Sequence, residues 1–428
     1  MKAAVGGLPI FWWLVLLLVF LAGPAMAAGP YGARLSLGIE GRYSDNLFFD
    51  PDDAVEAYYA LLRPQLNLFR LSERTRIDLS AHADMAYHRD HSALDATDYR
   101  LGGQLRHQCS ERLEAGLEAG YTLDERRERE LTESGLLFGD DRRRRWHGGF
   151  DGRYVLTERA TAGLGYGYVD ETFDTDRQFD SRGHQATLWL FQSLDRYLPR
   201  VTGRLHLSAG RYESMRRERA ILWLTPWETA DVVTDYRQAV DNYSATVGMA
   251  YAWTETLTGH IDLGGRWTRS ADSVTQHIGP SSLDGDPVSR RTQRSESHGF
   301  VGTLALERTG ERHWLSASVS HDLVPASGSN ALTERTALVL SLGYRLSLLW
   351  RVDGDGRYYR NRSDGGPAAR PVDQHSVQAT VGISRQFDSH WRIGTRYRFV
   401  RIDDRQTGRD QTANSVMVLV EWEWSTRD

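Results

Sequence analysis

The chain is nearly without cysteine and lysine. Its 428 residues contain one cysteine, Cys109, so no internal disulfide can form and no cysteine cluster can hold a metal. Lys2 is the only lysine, and arginine supplies the remaining basic residues among the 52. That bias reflects either genome composition or a use for guanidinium forks, which pair well with carboxylates inside a pore. With 57 acidic residues the formal net charge is -5, so there is no basic footprint for nucleic acid. A mean hydropathy of -0.51 is too polar for a bundle of membrane helices, and no helix-period segment of useful length is present.

Catalytic motifs are missing as well. No serine stands in a recognisable motif beside a histidine, and there is no glycine-rich phosphate loop or paired-carboxylate motif. The sequence is therefore read as a non-enzyme without a cofactor. His82 and His88 share one strand face while His91 belongs to a loop, so no metal site is expected there. Asp50, Asp52 and Asp53 form a solvated acidic loop, with a Ca²⁺ or lipopolysaccharide bridge as the other reading. Asp353-Gly354-Asp355-Gly356 lacks the terminal glutamate of a calcium loop.

What the chain has is alternation. Between Tyr243 and Trp267 every second residue is apolar or small: Tyr243, Ala245, Val247, Met249, Tyr251 and Trp253, then Leu257, Gly259, Ile261, Leu263, Gly265 and Trp267. The residues between them are small, polar or charged, which makes this a β-hairpin with aromatics near both ends of its apolar face. Such a hairpin is the repeating unit of a transmembrane β-barrel. The same pattern returns at Leu35 to Tyr43, Ile77 to Tyr87, Leu113 to Tyr121, Trp391 to Phe399 and Val416 to Trp424.

Counting these segments gives an all-β, single-chain antiparallel barrel of about eighteen strands, with sixteen as the alternative. Expected strand starts include residues 33, 57, 75, 112, 143, 160, 239, 295, 374 and 412. Connections alternate in length. Short ones such as Gln108 to Glu111, Thr254 to Thr256 and Phe387 to His390 separate long charged ones such as Ser44 to Glu56, Asp124 to Asp141, Glu213 to Asp235, Ser270 to Arg294 and Asn361 to Asp373. Short turns belong in the periplasm and long loops outside the cell, so both termini are expected to be periplasmic. A soluble solenoid or propeller is the competing all-β reading.

The first 27 residues read as an address. Lys2, the apolar run Ile10 to Leu21 and the small residues around Ala25-Met26-Ala27 describe a signal peptide over residues 1–27, cleaved to leave the barrel domain at 28–428. An uncleaved anchor helix is the alternative. No cysteine follows the signal, which excludes a lipoprotein.

Ser44-Asp45-Asn46-Leu47 after the first strand, Arg63-Pro64 in the second, and the succession of hairpins resemble the β-barrel porin type 2 family. The resemblance covers the whole mature chain through loose motifs. It implies an outer-membrane barrel associated with exopolysaccharide export, working beside a periplasmic polysaccharide-export protein, with polysaccharide as cargo. Membrane lipid, lipopolysaccharide and the barrel assembly machinery are the other expected partners. The chain departs from many outer-membrane barrels in ending Ser425-Thr426-Arg427-Asp428 after Trp424 rather than on an aromatic residue.

A lumen about eighteen strands round is too wide for side chains alone to fill. Alternation assigns to its wall Arg63, Arg76, Asp78, Asp84, Glu114, Glu118, Asp151, Arg153, Arg204, Asp262, Arg266, Arg351, Asp353, Asp355, Arg357, Arg392, Arg396 and Arg398. Interleaved signs suit a polar, weakly charged solute such as a sugar chain; equally, the pairs stiffen the wall. Trp189, Tyr212 and Tyr359 also point inward, either to stack on sugar rings or to pack. The expected function is polysaccharide translocation. A general or nutrient-specific diffusion porin is the runner-up, and a non-conducting structural or adhesive barrel the third reading. The porin would be marked by a loop folded into the lumen, for which Glu213 to Asp235, with Trp223, Pro226 and Trp227, is the candidate.

Overall fold

In the computed structural model the alternating segments join into one sheet of eighteen antiparallel strands. It describes residues 31–125, 141–225, 228–279, 289–325, 332–363 and 371–426. The expected signal peptide lies outside them. In chain order the strands are β1 (Tyr31–Ser44), β2 (Ala57–Leu71), β3 (Thr75–His88), β4 (Ala96–Gln108), β5 (Leu113–Asp124), β6 (Arg143–Thr157), β7 (Ala160–Phe173), β8 (Asp180–Ser193) and β9 (Val201–Thr225). There follow β10 (Glu228–Ala252), β11 (Leu257–Gly279), β12 (Ser289–Thr309), β13 (His313–Pro325), β14 (Leu332–Arg345), β15 (Trp350–Ser363), β16 (Val372–Gln386), β17 (Trp391–Asp404) and β18 (Arg409–Ser425). Each pairs with the next, and β1 pairs with β18 from Arg34↔Ser425 to Ser44↔Ser415. Closure leaves the sheet no open side, the condition a spanning sheet must meet where no water can satisfy its backbone.

The two faces are distinguished by exposure. Ile39, Leu117, Val247, Leu304 and Val418 are all about half exposed or more, an arrangement that suits lipid rather than water. Exposed aromatics gather at both ends of this face: Tyr58, Tyr87, Trp146 and Tyr243 toward the long connections, Tyr154, Trp350, Trp391 and Trp424 toward the short turns. These are the two girdles of a membrane barrel. The opposite face carries the charges and is concave, because ion pairs there reach across an intervening strand.

Two connections differ from expectation. Glu213 to Asp235 is not a loop folded into the lumen: β9 and β10 stay paired from Val201↔Tyr251 up to Thr225↔Glu228. Pro226 and Trp227 fall outside the described residues. Similarly, Ser270 to Arg294 is largely strand, with β11 paired to β12 as far as Gln276↔Ser289. Backbone hydrogen bonding continues where the two-residue alternation lapses, as at Arg216-Arg217-Glu218-Arg219 and then Ala220-Ile221-Leu222, so a boundary drawn from apolar alternation stops too early. β8 accompanies β9 only to Met215, and β13 accompanies β12 only from Gly302 onward. The upper parts of β9 to β12 therefore project as a four-stranded extension, roughly 30 Å long at 3.3 Å per residue.

Candidate lumenal binding site

Register places opposite charges on strands that are not neighbours. Asp353 on β15, Gly382 on β16 and Arg396 on β17 lie side by side. With no side chain on Gly382, the arginine Nε comes within 3.9 Å of the Asp353 carboxylate, and a Cβ on that glycine would stand 2.9 Å from the arginine Cγ. Arg204 reaches Asp262 in the same way across Gly248. Long side chains thus lie along the wall rather than across the pore.

The densest network is on β1 to β3. Glu40, 1% exposed, accepts hydrogen bonds from Arg42 at 2.7 Å and Arg63 at 2.8 Å. Arg63 also lies 3.2 Å from Asp84, which is 3.0 Å from His82 Nε2. Pro64 has no N–H to give, and the β2–β3 ladder is interrupted there, between Leu62↔Met85 and Gln65↔His82. Side chains bridge the two strands at that gap. Further round, Arg143 pairs with Asp124 at 2.9 Å and Glu171 at 3.1 Å.

Other predicted wall residues also find partners on the inner face. Arg76 meets Asp78 at 2.6 Å, Glu114 meets Arg106 at 3.1 Å, and Arg357 meets Asp355 at 2.7 Å. Arg392 pairs with Glu421 and Arg266 with Glu334. Arg398 donates to Gln378 at 3.3 Å, and Asp151 leans over Gly116. Glu118, Arg153 and Arg351 are exposed. Opposite charges are therefore largely matched within the wall, and little single-sign field is left for selecting ions.

Several of these residues meet in one recess of about 320 Å³, lined by Glu40, Trp314, Ser341, Arg351, Asp353, Asp355, Ser384, Arg392 and Arg396. Trp314 stands second in β13 and Arg392 second in β17, so the recess lies toward the short turns. Ser341 donates to Asp355 at 2.6 Å, which leaves carboxylate, hydroxyl and guanidinium groups beside an indole that is 36% exposed. Sequence reasoning passed over Trp314. Its signal was available, since Trp314, Ser316, Ser318 and Ser320 alternate with Leu315, Ala317 and Val319, but no charge drew notice to that face.

The aromatics singled out from sequence are placed differently. Trp189 stacks on Phe191 at 4.7 Å and lies over Gly163; Arg204 covers Phe191 at 5.2 Å. The Tyr212 ring fits over Gly183, and Tyr359 is only 6% exposed. Tyr359 is therefore too enclosed to meet a sugar ring, whereas Trp314, which lies over Gly343, keeps about a third of its surface exposed.

The connection from Asp45 to Glu56 folds inward. Asp45 accepts hydrogen bonds at 2.7 Å from the backbone and side-chain amides of Asn414, and Asn46 donates to the carbonyls of Asp50 and Thr412 at 2.9 and 3.0 Å. Phe49, held in the left-handed region with φ 54°, is thereby set against Val400, Ile402 and Ala413. Val400 and Ile402 alternate with the outward Tyr397 and Phe399, so this cluster is on the inner wall. Asp50 serves its own turn, accepting from the N–H groups of Asp52 and Asp53. Among the described residues no three His, Cys, Asp or Glu side chains converge as metal ligands.

The sequence matches no family model and no curated protein. Solved structures with a similar course of the chain include the ferric-catecholate import receptor Fiu from E. coli K12, at 8% identity and a TM-score of 0.48, covering 92% of this chain and 81% of that one. The copper transporter OprC is similar at 13% identity and 0.43, covering 89% of this chain and 63% of that one. OpdO from Pseudomonas aeruginosa is similar at 11% and 0.42, covering 92% and 97%. The fold, a closed barrel with an apolar outer face and a charged inner one, is that of an outer-membrane β-barrel.

Proposed function

We propose that this protein is an outer-membrane channel that passes a polysaccharide from the periplasm to the cell surface. The observation that carries the reading is the recess at Trp314, where a partly exposed indole stands among Asp353, Asp355, Ser341, Ser384 and Arg396. Sugars offer a polar rim and apolar ring faces, so an aromatic plate beside paired charges meets both without favouring an ion. The resemblance to the β-barrel porin type 2 family at Ser44 to Leu47 and at Arg63-Pro64 supports the same cargo. Short turns face the periplasm in this account and dock an export partner; the polymer is driven by its synthesis or by inner-membrane machinery.

A diffusion porin is the second reading, favoured by the inward-folded connection that carries Phe49. The deciding experiment quantifies polysaccharide on the surface and in the periplasm of a strain lacking the gene. Export predicts loss outside with retention inside. Unchanged polymer in both places contradicts export and directs attention to small-solute uptake.

A further inference from the structure

The lipid-facing wall is interrupted beside β1. Gly41 on β1 is flanked by Ala60 on β2 and Val418 on β18, and a Cβ added to Gly41 would meet nothing within 4 Å. The missing bulk leaves an outward trough of about 550 Å³. Tyr43, Tyr58 and Tyr87 border it toward the long connections, with the first two rings 4.9 Å apart; Val416 and Val418 form another side. Arg89, just past the end of β3, stands on its rim. No acidic side chain among the described residues pairs with the Arg89 guanidinium, and the carboxylate of Glu56 near Tyr43 is engaged by the tyrosine hydroxyl.

We propose that this trough holds one acyl chain of a lipopolysaccharide molecule while Arg89 binds a phosphate of its headgroup. The assignment rests on the reading above that the long connections face outside the cell, where the outer leaflet supplies that lipid. An apolar trough gains nothing merely from being apolar when its surroundings are hydrocarbon, so selectivity must come from fit and from the charged rim. Both are present: a trough at Gly41 and Ala60 beneath a tyrosine girdle, and at headgroup level a guanidinium with no carboxylate partner among the described residues.

The test is native mass spectrometry of the purified full-length barrel in detergent, with diphosphorylated lipid A and its dephosphorylated form as probes. Wild type is expected to retain one diphosphorylated molecule and to hold the dephosphorylated form at least tenfold more weakly. Arg89→Gln should lose the phosphate preference. Gly41→Leu, whose Cβ has no atom within 4 Å and whose side chain adds bulk to the trough, should lose retention of both probes while the barrel stays resistant to detergent at room temperature. Retention of diphosphorylated lipid A by both variants at the wild-type level would overturn the site. Orientation is checked separately by labelling Asp90→Cys, made in a Cys109→Ser background so that the native thiol is absent, on intact cells with a membrane-impermeant maleimide. Labelling without lipid discrimination refutes the trough alone, whereas a residue shielded from label refutes the orientation as well.

Discussion

Arg204 on β9 and Asp262 on β11 approach to 3.1 Å over Gly248, the residue of β10 that lies between them. The contact is an ion pair rather than an aligned hydrogen bond, since neither facing atom has a hydrogen-bond partner of good geometry. Its existence depends on the glycine. A Cβ there would run into the Ile261 carbonyl and the Asp262 carboxylate. Gly248→Leu is expected to cost about 1–3 kcal/mol by overpacking, read as a lower urea midpoint for unfolding from lipid vesicles. An unchanged midpoint would show that the wall adapts freely at this point.

The inward connection should behave as a removable obstruction. Phe49→Ala removes the ring from the Val400, Ile402 and Ala413 cluster, a loss of about 3 kcal/mol for a fully buried phenylalanine. Asn46→Ala removes hydrogen bonds to Asp50 and Thr412, each contributing about 1 kcal/mol. These losses fall on the docking of the connection against the wall and not on the strand ladder, so both variants are expected to raise single-channel conductance, Phe49→Ala more, with little change in the temperature at which the barrel itself unfolds. Equal conductance in both variants and wild type would place the connection outside the conducting path.

A turn carboxylate gives a pH dependence. Asp388 accepts from the N–H groups of His390 and Trp391 at 2.7 and 2.8 Å, and these bonds hold its carboxyl below the ordinary aspartate range. A lowered folded value stabilises the turn above about pH 4, where the unfolded aspartate ionises, and that contribution disappears as pH falls through the folded value. Asp388→Asn should therefore flatten the acid limb of the stability profile below about pH 4 while leaving its shape near neutrality unchanged. Parallel acid limbs would contradict this assignment.

Cys109 is a native topology probe. The thiol is exposed in the turn between β4 and β5. A membrane-impermeant maleimide should leave it unlabelled on intact cells and label it once the outer membrane is permeabilised. Labelling of intact cells would put the short turns outside.

Much of this architecture was legible because membrane barrels obey a two-residue period that sequence displays directly. The start of β2 at Ala57, β3 at Thr75, β6 at Arg143 and β7 at Ala160 coincide with the expected positions. β10 and β12 begin earlier than expected, at Glu228 and Ser289, because water-exposed strands need no apolar face. The site was legible only in part. Alternation puts Asp353 and Arg396 on one face, but their approach depends on register with Gly382, a relation among three strands that no local pattern states. Trp314 went unnoticed because its neighbours are serines. The fold of Asp45 to Phe49 was hidden for a different reason: Asx contacts to Asn414 and Thr412 join residues more than 360 positions apart.

The measurement closest to the central claim is single-channel recording from the purified barrel in a planar bilayer, with a neutral oligosaccharide added on the short-turn side. The account predicts stepwise conductance with weak ion preference, interrupted by the sugar. In Trp314→Ala the interruptions should shorten up to about tenfold, the equivalent of one aromatic stacking contact, with open conductance retained. A barrel that conducts nothing, or one whose interruptions are the same with and without the Trp314 indole, would contradict it.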